Sequence, residues 1–112
     1  MKCVFCRIAN KEEPSDIIFE SETVLGFKNI SSEAPIHYLF IPKKHLEWKE
    51  ESDDKDLALL SQVISAAKKV AIKENIFHAC KFIFNVGKTG HIPHIHLHLL
   101  GGWKGEVPMR NI

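Results

Sequence analysis

The sequence predicts an α+β domain built on an antiparallel sheet. Two observations predict it. Short strand-like runs lie before and after a single long helical segment, and neighbouring runs are joined by connections short enough for hairpins. Taken in order, Cys3-Val4-Phe5-Cys6-Arg7-Ile8 makes one short helical turn, closed off by the polar stretch 10–15 with Pro14. Residues 17–20 and 24–30 are apolar runs parted by Ser21-Glu22-Thr23, which reads as a hairpin. Residues 37–41 form a third strand, stopped by Pro42, which has no N–H to give a ladder. Residues 43–51 are polar and irregular. Ser52, Asp53 and Asp54 then supply an N-cap and first-turn negative charge for the long helix. Leu57, Leu60, Ile64, Ala67 and Ala71 recur at steps of three and four, which predicts one buried face. Lys68, Lys69 and Lys73 gather toward its C-terminal end, and Asn75 marks the stop. Residues 81–85 and 94–100 are the last two strands, joined by a turn over 87–93.

At 112 residues the chain is the length of one domain, taken as 1–112, with room for one real core. An apolar fraction of 45% and a charged fraction of 26% are those of a soluble globular protein. The formal net charge of +1 sets up no broad field toward nucleic acid or an anionic membrane, so neither is an expected partner. A polyanionic ligand must instead be met by a local site. No apolar run reaches the length of a membrane span, and the start of the chain carries no secretory leader. Three cysteines, an odd number, argue for a reducing compartment, and cytoplasm is the expected location.

Residues 94–100, His-Ile-His-Leu-His-Leu-Leu, alternate polar and apolar. In a strand, side chains at i, i+2 and i+4 share a face, so His94, His96 and His98 line one side while Ile95, Leu97 and Leu99 enter the core. Three groups that titrate near neutrality thereby come within reach of one substrate group. Two chemistries suit such a row: metal-free catalysis by imidazoles, or a catalytic zinc held by His-x-His.

This segment resembles the signature of the histidine triad family, His-x-His-x-His followed by apolar positions. Gly101-Gly102, Ile41-Pro42-Lys43-Lys44-His45, residues 27–35, and Val4-Phe5 and Ile8 with Pro14 resemble the Hint branch of that family. The resemblance runs from about Cys3 to Gly102. It implies a homodimer of five-stranded antiparallel sheets, each backed by a helix. It also implies hydrolysis at the α-phosphorus of a purine nucleotide, typically a nucleoside phosphoramidate. His96 would then be the nucleophile, forming a nucleotidyl-imidazole. His98 would hold or protonate around the phosphate, and His94 and His45 would orient His96 and relay protons. No metal is required for that chemistry.

Carried over position by position, the nucleoside pocket comprises Val4, Phe5, Ile8, Phe27 and Ile30 around the base. Asn29 stands at the ribose, and Asn85 near the α-phosphate or leaving group. Asn29 replaces the family's usual aspartate, which weakens the ribose contact because charge-assisted hydrogen bonds are the stronger kind. Gly90-His91-Ile92-Pro93 replaces the usual Gln-Ser or Gln-Thr pair. His91 either takes over the donor role toward phosphate or leaving group, or faces solvent in the turn. Two other activities remain open on the same sequence: hydrolysis of dinucleoside polyphosphates, and nucleotide binding with slow, regulatory turnover.

Cys3-x-x-Cys6 reads as a zinc or a redox pair. The redox case wants a βαβ unit, and none is visible. The resemblance implies a structural zinc held by Cys3, Cys6, His45 and His94. Cys80, His37 and His78 read as ordinary core or edge residues and Lys43-Lys44 as a solvated turn. The residues themselves do not place Trp48 or Trp103, though the resemblance, in which the tail after the triad reaches across the dimer, leaves open a role for Trp103 in the partner's pocket.

Overall fold

A computed structural model describes residues 3–107. The order is α1 (Val4–Ala9), β1 (Ile17–Glu20), β2 (Val24–Lys28), β3 (Ile36–Pro42), α2 (Asp54–Lys73), β4 (Cys80–Phe84), a 3-10 turn (Gly87–Thr89) and β5 (Leu97–Gly101). The five strands make one antiparallel sheet in the order β1-β2-β3-β5-β4. The α+β class with its long and short helices is therefore as the sequence predicts. Among the described residues, no helix is long and apolar enough to cross a membrane.

The sheet is covered on both faces, and β3 shows why its sequence is a continuous apolar run rather than an alternating one. Tyr38 and Phe40 pack with Val24, Leu97 and Leu99 beneath α2. Leu39 and Ile41 point the other way and pack with Leu25, Phe27, the α1 residues Phe5 and Ile8, and Cys3 just before them. His37 follows the period-two rule onto this second face, opposite α2. Gly26 is needed where β2 crosses Phe40, because a Cβ there would lie 2.7 Å from the phenyl ring.

Helix α2 is capped as its sequence requires: the Asp53 carboxylate accepts from the Asp56 N–H at 2.9 Å. Asn75 stops it in the left-handed conformation at φ 60°, with the Ile76 N–H returning to the Ala71 carbonyl. Its buried stripe differs from the predicted one. Val63, Ala66, Ala67, Val70 and Ala71 face the sheet, whereas Leu57 and Ile64 are 54% and 43% exposed. The aromatic rings of β1 and β3 already fill that layer, so the small side chains turn inward and the bulky ones outward. The final strand also begins later than predicted, at Leu97, and residues 85–96 form a long loop rather than a tight turn.

Candidate active site and metal centre

The two faces of the sheet sort the chemistry. On the α1 face, β5 contributes His98 and Leu100, and the lead-in to the strand contributes His96. The register of β3 on β5 sets Leu39 opposite His98 and His37 opposite Leu100. His37 and His98 are therefore diagonal neighbours on one face, a spacing long side chains bridge. Their Nε2 and Nδ1 atoms lie 2.9 Å apart. His96 and His98 follow with ring centroids at 5.0 Å, and Phe5 stacks edge-on against His96 at 4.9 Å. His94 does not share this row. It precedes the strand, and its ring turns toward the cysteines.

Hydrogen bonds fix which nitrogen of each imidazole carries the proton. The Glu33 N–H donates to His37 Nδ1 at 3.0 Å, so neutral His37 carries its hydrogen on Nε2 and donates it to His98 Nδ1. His98 then holds its own hydrogen on Nε2. His96 Nδ1 lies 2.9 Å from the His94 carbonyl, which can only accept, so Nδ1 is the protonated nitrogen and Nε2 keeps a lone pair. A base and a donor thus stand side by side.

Burial keeps these rings neutral. Desolvation lowers His96 and His37 below their ordinary values. It pushes His98 down to about 4, with the neighbouring His96 and His37 acting in the same direction. His98 ionises near 6.5 in an unfolded chain and stays neutral in the fold until about pH 4. The unfolded state binds the extra proton in that window, so the stabilisation is complete above pH 6.5 and is lost as pH falls toward 4. Denaturant midpoints should report a loss of about 2–3 kcal/mol from this residue between pH 7 and 4.5. A His98→Leu protein with the wild-type acid slope would show that His98 is not its source.

A cavity of about 550 Å³ opens over this face. Of the residues expected around a nucleotide, Phe5, Asn29, Asn85, His91, His96 and His98 line it. Val4, Ile8 and Phe27 do not; they pack in the core cluster behind Phe5. Ile30 does not line it either, because the chain leaves β2 at Lys28 and carries that side chain fully into solvent. His91 sits in the cavity wall rather than in an outward turn, brought there by a loop that folds back on Asn85: a Cβ at Gly90 would lie 2.5 Å from the Asn85 carbonyl oxygen. Asn29 Nδ2 donates to the Ser31 carbonyl at 3.0 Å and lies 3.3 Å from both His37 ring nitrogens, leaving Oδ1 for a ligand. Sequence reasoning passed over His37, Ser31, Glu33 and Thr89, which also line the cavity. For His37 the available signal was its even spacing with Leu39 and Ile41 on an all-apolar strand. Trp103 is not in the wall; Lys81 Nζ lies 5.7 Å above its ring.

Beside the cavity, Cys3, Cys6, His45 and His94 bring four donor atoms within 4.8 Å of one another. Cys3 caps α1, its sulfur accepting from the Cys6 N–H at 3.2 Å. His94 Nε2 donates to the Pro42 carbonyl at 2.8 Å and His45 Nε2 to Glu47 at 2.8 Å, so both rings present a bare Nδ1 to the sulfurs. The Nδ1–Sγ distances are 3.1 to 3.6 Å and the sulfurs are 3.2 Å apart. A tetrahedral ion with bonds of roughly 2.0–2.3 Å spaces its ligands about 3.3–3.8 Å apart, so the cluster is slightly contracted but of the right size. Burial works to raise the Cys3 thiol, yet hydrogen bonds from Cys6 and His45 outweigh it and hold it below its ordinary value. The Glu47 hydrogen bond raises His45. This set fits a metal ion.

Residues 2–107 match the family described as scavenger mRNA decapping enzyme C-terminal binding. The chain is 39% identical to a HIT family hydrolase of Legionella pneumophila Philadelphia 1, whose crystal structure superposes with a TM-score of 0.86, covering 96% of this chain and 98% of that one. A histidine triad protein from Clostridium difficile is 33% identical with a TM-score of 0.87, over 96% and 95% of the two chains. An uncharacterised HIT-like protein of Synechococcus elongatus is 33% identical over 101 residues, 88% of this chain and 89% of its own length.

Proposed function

The chain belongs to the histidine triad family, and from that premise we propose that it hydrolyses purine nucleoside phosphoramidates at the α-phosphorus, as a Hint-like member. The observation that carries this reading is the protonated Nδ1 of His96 on the His94 carbonyl, which leaves Nε2 as a nucleophile in the cavity beside the Nε2–H of His98.

In the first step His96 Nε2 attacks the α-phosphorus, a P–Nε2 bond forms and the P–N bond to the amine breaks. His96 becomes a cationic nucleotidyl-imidazolium, and its Nδ1–H on the His94 carbonyl steadies that charge. The His98 Nε2–H donates to a phosphoryl oxygen as charge develops there. The departing amine takes a proton from the cavity wall, where His91 stands. In the second step water attacks phosphorus and gives its proton back to the wall group that protonated the amine, the P–Nε2 bond breaks, and nucleoside monophosphate leaves with His96 restored. Phe5 supplies one face for the base, backed by Val4, Ile8 and Phe27, and Asn29 Oδ1 accepts from a ribose hydroxyl.

We propose zinc for the four-donor centre. Its contribution when bound is positional. It ties α1 to His94, so His94 and His45 orient His96 rather than relay protons. Three reduced thiols suit a cytoplasmic protein.

Incubation with adenosine phosphoramidate tests the activity. Amine and adenosine monophosphate should appear in equal amounts, and acid-labile label should be trapped on protein in a rapid quench. Nucleotide binding without amine release would identify a regulatory module. Faster cleavage of a dinucleoside polyphosphate would move the substrate to that class.

The outward stripe of α2, Leu57 and Ile64 with half-buried Leu60, faces solvent next to an apolar groove of Trp48, Leu60, Phe84, Val86 and Ile95, and among the described residues β4 is a sheet edge with no strand on its outer side. We propose that a second copy covers them in an isologous dimer. Light scattering at micromolar concentration should give twice the chain mass, and Leu57→Glu with Ile64→Glu should give one.

A further inference from the structure

We infer that Cys3 and Cys6 are a reversible dithiol–disulfide pair through which a hydroperoxide unloads the metal centre and loosens His96. The activity arm of this inference rests on the nucleophile reading of His96 above; the covalent step does not.

The two sulfurs stand 3.2 Å apart, so a bond of about 2.05 Å needs a closure of little more than 1 Å. The backbone of one helical turn already holds them on the same side. Cys6 is half-buried and offers an oxidant access, while Cys3 lies behind it at 9% exposure. Cys80 differs: burial raises its thiol, and it lies far along the chain on β4.

The Cys6 thiolate attacks one oxygen of hydrogen peroxide, the O–O bond breaks, and hydroxide leaves as a sulfenic acid forms. The Cys3 thiolate attacks that sulfur, the S–O bond breaks, and a second hydroxide leaves with the disulfide formed. Two sulfurs have lost two electrons, two peroxide oxygens have gained them, and two protons make both hydroxides water. A disulfide has no thiolate to ligate with, so the centre loses two of its four donors at once.

His94 carries the effect to the chemistry. Its Nδ1 faces the sulfurs, its Nε2–H holds the Pro42 carbonyl, and its own carbonyl accepts the proton that fixes the His96 tautomer. Phe5 adds a second link. It sits between the two cysteines in sequence and stacks on both His94 and His96, at 5.9 and 4.9 Å. A disulfide therefore acts on both residues through which the centre reaches the nucleophile, His94 and Phe5.

The test uses the full chain carrying Cys80→Ser, zinc-loaded and treated with hydrogen peroxide, with wild type mapped by peptide mass alongside it. The expected results are a linked Cys3–Cys6 peptide lighter by two hydrogens and release of one zinc per chain to a colorimetric chelator. The His96 imidazole nitrogen spectrum should lose its fixed Nδ1–H signature, and turnover should fall about tenfold. Dithiothreitol with zinc should reverse all four. Irreversible sulfinic acid at Cys6 with no linked peptide overturns the inference. So does a linked peptide with an unchanged His96 spectrum. If untreated protein turns over no phosphoramidate, the proposed activity fails, and the peptide mass, zinc release and His96 spectrum still decide this point.

Discussion

His96→Ala should lower kcat by about 10⁴-fold or more while nucleotide binding persists, comparable to removing the nucleophile of a triad hydrolase. The ring is nearly buried and stacks on Phe5, with Nδ1 held by the His94 carbonyl and Nε2 bare in the cavity. Deleting it removes the proposed covalent route, but Phe5, Asn29 and Asn85 still line the cavity and should still bind a nucleotide. His98→Ala removes a donor rather than the attacking atom, and should cost on the order of 10²–10³-fold. The two variants separate in a quench with labelled substrate. Wild type traps nucleotide on protein, His98→Ala traps it slowly, and His96→Ala traps none. A thermal melt of His96→Ala guards against simple unfolding. Trapping at the wild-type level, or activity above a few per cent, would mean that another group attacks phosphorus.

The other large effect concerns stability. Stripping metal from the Cys3, Cys6, His45 and His94 cluster should lower Tm by about 12–20 °C. Helix α1 has six residues and is too short to persist alone. It is held by Phe5 and Ile8 against Leu25, Phe27, Leu39 and Ile41, and by the cluster that ties Cys3 and Cys6 to two distant segments. An ion present at a thousand times its Kd stabilises the native state by about 4 kcal/mol. For a chain of 112 residues that amounts to a double-digit shift in degrees, since each kcal/mol moves Tm by roughly 3–5 °C at this size. Melts with and without a strong chelator measure it, and added zinc should restore the higher value. Cys6→Ser should melt low and ignore the chelator. Superimposable melts of chelated and metal-supplemented protein would show that the cluster holds no stabilising ion.

The sequence by itself determined whatever is periodic or local. Alternation over residues 94–100 identified the three histidines, the Asp53 cap and Asn75 bounded α2, and the Cys3-x-x-Cys6 spacing announced a paired-thiol centre. The order of elements was enough for an antiparallel α+β sheet, because apolar runs joined by short links pair antiparallel, but the pairing of β3 with β5 across α2 and β4 was not legible there. Tertiary structure decided what depends on register and on which face is covered. His37 reads as an ordinary strand residue until β3 pairs with β5 and sets it diagonally from His98. The histidine row divides because β5 starts at Leu97, which frees His94 to turn toward the cysteines while His96 and His98 stay on the cavity. The bulky positions of α2 matched a helical period as well as the small ones did, and only the aromatic layer beneath selected Val63, Ala66 and Val70 over Leu57 and Ile64, while Ala67 and Ala71 are buried as predicted. Phe27 and Ile8 lie behind the wall rather than in it, and Ile30 lies outside. In each case a side chain's direction is dictated by its own strand or helix. Its neighbours come from segments tens of residues away, and no local pattern records how those segments dock.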